Sequence, residues 1–389
     1  MKALFQKFEI QLQNTKTDFK RYLYHKVAWG SRMIGIIGPR GVGKTTMILQ
    51  YIKENLDSRI ALYVSADDMY FGENRLYDLA DNFYKNAGEY LFIDEIHKYN
   101  NWSQELKNIY DSFPALKVIF TGSSVLDILK GSSDLSRRAI IYNLQGLSFR
   151  EYLKLFHHVD SEVYSLEQIA HNEVKLRNIS HPLPLFSDYL KRGYYPFGLE
   201  NEMEIRLGQI IIQTLETDIP QYANLNVGTS RKLKKLLSII AESVPFKPNF
   251  SKIAEIIDVS RNSLDDYFAY MEKAGLISQL RNETGGIRGL GKVDKVYLDN
   301  TNIIHNLVGD KSNTGNLRET FFYNQMRLNN QIIASKRADF MVNDYTFEIG
   351  GKNKQQSQIE KDGKSFIVKD DIEFGYLNVI PLWAFGFNY

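Results

Sequence analysis

Residues 38–46 read Gly38-Pro39-Arg40-Gly41-Val42-Gly43-Lys44-Thr45-Thr46, a G-x-x-x-x-G-K-T arrangement directly after the apolar run 33–37. Glycines at these spacings let backbone N–H groups converge on an anion, and a helix that starts there turns its positive N-terminus toward the same anion. In such a loop Lys44 reaches the β and γ phosphates, and the Thr45 hydroxyl holds Mg²⁺. All nine residues are therefore candidate phosphate contacts. Further along, Tyr90-Leu91-Phe92-Ile93 is an apolar run that ends in Asp94 and Glu95. An acid at the C-terminal end of a strand next to a phosphate loop faces the Mg²⁺ shell, and an adjacent Glu polarises the attacking water. Asp94 is the candidate metal acid and Glu95 the candidate base.

The elements that must hold these groups alternate as a helix-covered parallel sheet demands. Strand-like runs occupy 33–37, 60–64, 90–95, 116–121 and 139–144. The fourth leads into Gly122-Ser123-Ser124, so Ser123, Ser124 or Thr121 is positioned to touch a γ-phosphate or the attacking water. Arg137 and Arg138 precede the fifth, where a guanidinium can meet transition-state phosphate charge in cis or from a neighbouring subunit; a solvated surface pair is the alternative.

Composition narrows the class. The chain has 389 residues, more than one ordinary core accommodates, with 43% hydrophobic and 24% charged residues, as in a folded soluble protein. A net charge of +2 does not mark a strongly basic nucleic-acid binder. With no cysteine there is no disulfide, thiolate zinc site or thiol nucleophile. No apolar stretch approaches the ~20 residues of a membrane span, and the first thirty residues lack a secretory core, so a cytoplasmic protein without membrane contact is expected.

Residues 38–46, the segment Leu91-Phe92-Ile93-Asp94-Glu95-Ile96-His97-Lys98-Tyr99 with Asn101-Trp102, Thr121-Gly122-Ser123-Ser124, and Leu147-Ser148-Phe149-Arg150-Glu151-Tyr152 together resemble the archaeal and bacterial AAA-type ATPases that carry a C-terminal restriction-endonuclease-like region. The likeness is dense over roughly the first 150 residues and looser beyond. It implies ATP with Mg²⁺ as ligands, a sheet in which the strand leading to Ser123 lies between the strands of the phosphate loop and of Asp94, and an arginine near Arg137/Arg138 at a nucleotide or subunit interface.

Four domains are expected: 1–156, an AAA-like α/β ATPase domain; 157–225, a helical lid or connector broken at Gly193-Tyr194-Tyr195-Pro196-Phe197; 226–304, a winged helix-turn-helix; and 305–389, a small α/β domain. His157 and His158 are adjacent on a helix and point about 100° apart, which does not suit a metal. In the third domain Ile253, Ile256 and Ile257 mark a short helix, Ser260 caps a second that carries Leu264, Phe268 and Met271, and a hairpin with its tip at Glu283-Thr284-Gly285-Gly286 forms the wing. In a DNA-reading version Arg261, Asn262 and Tyr267 face the groove while Arg288 and Lys292 meet phosphates; Asp265 and Asp266 oppose it, and a protein partner is the alternative.

In the last domain the order Glu319, Asp339, Glu348, Lys352 resembles a restriction-endonuclease-like fold, with Asp339 and Glu348 as candidate acids of a vestigial Mg²⁺ site. Three residues separate Glu348 from Lys352 where one is usual, so the nuclease is expected to be degenerate. The run 382–387 is expected as a buried aromatic strand. The leading function is an ATP-hydrolysing switch whose other domains pass the change to double-stranded DNA or a protein, with self-assembly where an arginine serves a neighbour. An ATP-coupled nuclease and a non-hydrolysing ATP-gated interaction module are the alternatives. Small-molecule phosphotransfer is disfavoured, because Glu95 beside Asp94 suits water activation.

Overall fold

The computed structural model describes every residue except 123–134, 136, 177–178, 224, 226, 244–246, 283–290, 310–312 and 352–363. The chain divides into two compact units, Met1–Gln145 and Gly146–Tyr389. No helix among the described residues is long and apolar enough to cross a membrane.

In the first unit, helix α1 (Lys2–Asn14) precedes strand β1 (Met33–Ile37), helix α2 (Lys44–Asn55), strand β2 (Ala61–Ser65), helix α3 (Leu76–Lys85), strand β3 (Tyr90–Asp94), helix α4 (Trp102–Ser112), strand β4 (Lys117–Gly122) and strand β5 (Ile140–Asn143). The sheet runs β2-β3-β4-β1-β5, every neighbour parallel. Strands covered on both faces must be apolar throughout, and all five residues of β1 are buried. Helix α2 supplies Met47, Ile48, Leu49 and Ile52 to the core, and α3 adds Leu76, Leu79, Ala80 and Phe83. The strand expected between those of the phosphate loop and Asp94 is β4, paired with β1 on one side and β3 on the other. That order brings the ends of β1, β3 and β4 to one edge.

The second unit begins earlier than the expected boundary at 156. Helix Phe149–His157, started by a reciprocal capping box between Ser148 and Glu151, buries Phe149 and Tyr152 against Phe186, Tyr189 and Phe387 of that unit. The stretches 157–225, 226–304 and 305–389 all lie in this unit. Helices Val227–Ser243, Phe250–Ile257 and Arg261–Lys273 lead into the antiparallel pair β6 (Ile277–Arg281) and β7 (Val293–Leu298). Ser260 caps the third helix by accepting from Ser263 N at 3.1 Å. Beyond it, helix Thr314–Met326 packs on a mixed sheet ordered β12-β11-β10-β9-β8, formed by β8 (Ile332–Ala334), β9 (Phe340–Val342), β10 (Tyr345–Gly350), β11 (Ser365–Lys369) and β12 (Val379–Pro381). Strands β8, β9 and β10 pair antiparallel, while β10, β11 and β12 run parallel.

The segment Leu382–Phe387 is a 3₁₀ helix, contrary to the expected strand, and all six residues are buried. A strand on one side of a core would bury every second residue. This segment buries each in succession, with Phe385 against Phe322 and Phe347, and Phe387 against Phe149.

Candidate functional site

The loop between β1 and α2 turns through positive φ at Gly38 (153°), Gly41 (79°) and Gly43 (94°). A side chain at Gly38 would put its Cβ 2.1 Å from the Leu144 carbonyl oxygen, so only glycine fits that approach. Gly43 is the N-cap of α2 and supplies no side-chain cap, which leaves the first-turn amides of α2 to another acceptor. Lys44 is buried, and its Nζ donates to the carbonyls of Gly38 and Pro39, both at 2.8 Å. An ammonium held over the loop, an uncapped helix start and a glycine-lined cradle fit a phosphate chain.

Asp94, at the end of β3, is 4% exposed. Its Oδ2 accepts from Thr45 Oγ1 at 2.6 Å and from the Tyr63 hydroxyl at 2.8 Å, and its Oδ1 accepts from Thr121 Oγ1. Hydroxyl and carboxylate lie together as Mg²⁺ ligation requires, so these residues fit the ion as well. Tyr63 comes from β2, and its phenol is held well above its ordinary pKa by burial and then by the charge of Asp94. It remains a proton donor to the carboxylate.

Glu95 follows in a left-handed conformation, φ 52°, which costs a non-glycine residue of order 1 kcal/mol. Its amide donates to Thr121 Oγ1 at 3.2 Å. The turn carries the Glu95 carboxylate to a partly exposed position, 3.8 Å from Arg40 Nη1 and 3.6 Å from His97 Nε2. The His97 side chain is 1% exposed. Burial, followed by the nearby charges of Lys98, Arg40 and Lys44, pushes its pKa down to about 3. The imidazole is therefore neutral at ordinary pH, and its approach to Glu95 is not an ion pair.

A further cation braces the loop from behind. The buried Arg21 guanidinium donates to the Val42 carbonyl and, at 2.7 Å, to the Gln145 carbonyl. The neighbouring Tyr22 hydroxyl donates to the Asn143 carbonyl at 2.9 Å.

The sequence candidates divide accordingly. The structure brings together the loop 38–46, Asp94, Glu95 and Thr121. Ser123 and Ser124 lie outside the described residues. Arg138 is engaged with Asp111 of α4 through Nη2–Oδ2 and Nε–Oδ1 contacts of 3.0 and 3.1 Å, and Arg137 is exposed on the preceding turn. Tyr267, expected to face a DNA groove, is buried instead, because it joins Leu264, Phe268 and Met271 on the core side of its helix. Arg261, Asn262 and Lys292 are exposed, and the hairpin tip with Arg288 lies outside the described residues. His157 shares a 3.1 Å hydrogen bond with the Tyr152 hydroxyl, and His158 ends the helix in a left-handed conformation.

Asp339 accepts from Lys295 Nζ at 3.0 Å, Glu348 is half-buried on β10, and Lys352 lies outside the described residues. Among the described residues no group of three or more His, Cys, Asp or Glu side chains is arranged to hold a metal ion. Sequence reasoning missed Arg21, Tyr63, His97 and Lys295. Of these only His97 stood inside a motif, the segment 91–99 that carries the family resemblance, where it was given no role.

A family profile described as an AAA domain matches residues 30–153, and residues 183–314 match a domain of unknown function. An uncharacterized protein of Methanocaldococcus jannaschii is 28% identical over 268 residues, covering 64% of this chain and 56% of that protein. The chain thus spans about half the length of this curated relative. Of solved structures, the Walker-type ATPase of Pyrococcus abyssi aligns over 76% of this chain and 99% of its own, at 12% identity and a TM-score of 0.46. AMPPCP-bound DnaA from Aquifex aeolicus aligns over 64% and 84%, at 15% identity and a TM-score of 0.27. The profile match over residues 30–153, together with the five-stranded parallel sheet, supports an AAA-type P-loop domain in that stretch.

Proposed function

We propose that the chain is an ATP-hydrolysing switch that works in the cytoplasm, with Mg²⁺ as its cofactor. The observation that carries this is the Asp94 carboxylate receiving the Thr45 hydroxyl at 2.6 Å beside the uncapped start of α2. Residues 38–46 hold the phosphates, and Lys44 moves from the Gly38 and Pro39 carbonyls onto the β and γ oxygens. Thr45 and Asp94 would hold Mg²⁺, which would offset phosphate charge when bound. Glu95 takes a proton from water as its oxygen attacks the γ-phosphorus, and the bond to the β-phosphate oxygen breaks to leave ADP and phosphate. Thr121, which already touches Asp94 and the Glu95 amide, orients that pair. Arg137, exposed ahead of β5, is the arginine free to serve a neighbouring copy in a homo-oligomer.

Nucleotide binding and phosphate release test the assignment. Lys44→Ala should lose ATP binding, and Glu95→Gln should keep bound ATP while turnover falls roughly 10²–10⁴-fold. Hydrolysis by Glu95→Gln at the parental rate removes Glu95 as the base.

The second unit carries a winged-helix arrangement in Phe250–Ile257, Arg261–Lys273, β6 and β7, followed by a restriction-endonuclease-like sheet. Two exposed acids, Asp265 and Asp266, share a helix with Arg261 and Asn262, and Tyr267 is turned into the core. This surface favours a protein partner over duplex DNA, whose phosphates would meet the acids. ATPase rates that rise with duplex DNA and fall steeply with salt would reverse that choice.

A further inference from the structure

In the second unit Lys295 of β7 lies between Glu319 of helix Thr314–Met326 and Asp339, just ahead of β9. Its Nζ donates to Glu319 Oε2 at 2.9 Å and to Asp339 Oδ1 at 3.0 Å. The three side chains are 13%, 13% and 19% exposed, in the order Lys295, Glu319, Asp339. Tyr297, two residues further along β7, donates to the same Glu319 oxygen at 2.6 Å. The second Asp339 oxygen accepts from the Ile349 amide at 3.0 Å. Glu319 and Asp339 are thus two acids whose oxygens converge on one point, the donor arrangement a divalent cation takes in a nuclease-like sheet.

The ammonium occupies that point. A lysine has three donors and no accepting atom, so it cannot ligate a metal. A divalent ion at carboxylate-bonding distance would lie against a positive charge in a poorly solvated site. Burial alone would lower the Lys295 pKa, but the attraction of Glu319 and Asp339 outweighs it and raises the value, which keeps the amine charged. The residues present therefore do not fit a divalent ion.

We propose that Lys295 permanently fills the cation position between Glu319 and Asp339, so that this acid pair is a closed ionic joint between β7 and the last sheet and accepts a divalent cation only when the lysine is removed. The proposal stands apart from the nucleotide chemistry of the first unit.

Mn²⁺ binding to the full-length, nucleotide-free chain, read from the paramagnetic resonance signal of the free ion, tests it. Wild type and Asp339→Asn should bind the same number of ions. Lys295→Met should bind one more per chain, lose it when Asp339→Asn is added, and show a melting temperature that rises with Mn²⁺ concentration. Lys295→Arg, which retains the charge, should keep the wild-type count. A wild-type count that drops by one on Asp339→Asn overturns the proposal, and so does a folded Lys295→Met protein that gains no ion. Should Lys295→Met not fold, the wild-type and Asp339→Asn counts decide alone: equality supports the closed joint, and a loss of one ion refutes it.

Discussion

His97 illustrates how a single buried group ties the candidate site to solution conditions. Its imidazole is almost fully enclosed, beside Glu95 and among Lys98, Arg40 and Lys44, and its pKa is held near 3. In the unfolded chain a histidine takes up a proton near its ordinary pKa of ~6.5. A depressed folded pKa means the unfolded state binds the proton first, so the contribution is complete above about pH 6.5 and is lost as pH falls toward 3. Between pH 7 and pH 5 that linkage amounts to roughly 2 kcal/mol. Urea unfolding of wild type and His97→Gln at both pH values measures it: the wild type should lose about that much more stability than the variant. Equal losses would mean that His97 takes up its proton while the chain is folded.

At the scale of elements, the phosphate loop depends on a brace as well as on its glycines. Arg21 closes the gap between the Val42 and Gln145 carbonyls, and Gly38 lets the Leu144 carbonyl approach the loop. Methionine at position 21 would take this donor from one buried and one half-buried carbonyl, at a cost of roughly 2–4 kcal/mol. Arg21→Met should therefore lower first-unit stability by about that amount and weaken ATP binding about tenfold or more, with Arg21→Lys between the two. Thermal unfolding and nucleotide titration read these effects, and unchanged ATP affinity in a destabilised Arg21→Met chain would reduce the brace to a packing role. Little of this was visible in the sequence. Strands β1, β3 and β4 were legible because each is a continuous apolar run, and the loop because its chemistry permits few residue types. Arg21 meets partners 21 and 124 residues away, which no local pattern encodes. Lys295 was hidden for the same reason, its acids lying 24 and 44 residues on. The 3₁₀ segment Leu382–Phe387 was misread because an unbroken apolar run has no period to separate a strand from an element buried on all sides.

The whole molecule consists of two compact units, and the aromatic segment at 382–389 lies at the heart of the second. Leu382, Trp383, Phe385, Phe387 and Tyr389 are at most 5% exposed. The Tyr389 carbonyl accepts from Ser148 Oγ and Arg150 Nε, both at 2.9 Å, and its hydroxyl donates to the Gly146 carbonyl at 3.3 Å. Burial of five such side chains contributes on the order of 10 kcal/mol, comparable with the entire stability of an ordinary domain. A chain cut after Pro381 should therefore lose the second unit cooperatively, through its aromatic packing, rather than fray at one end. The residues proposed to bind nucleotide all lie within Met1–Gln145, so the first unit should keep its ATP affinity within a few-fold and melt at a higher temperature when Mg²⁺ and ATP are added. Limited proteolysis mapped by mass, alongside nucleotide titration, separates the outcomes. Rapid cleavage confined to residues beyond 145 with ATP binding retained is the expected result. Protection of the second unit in the shortened chain would deny the aromatic segment its place in the core, and loss of ATP binding would show that the first unit does not stand on its own.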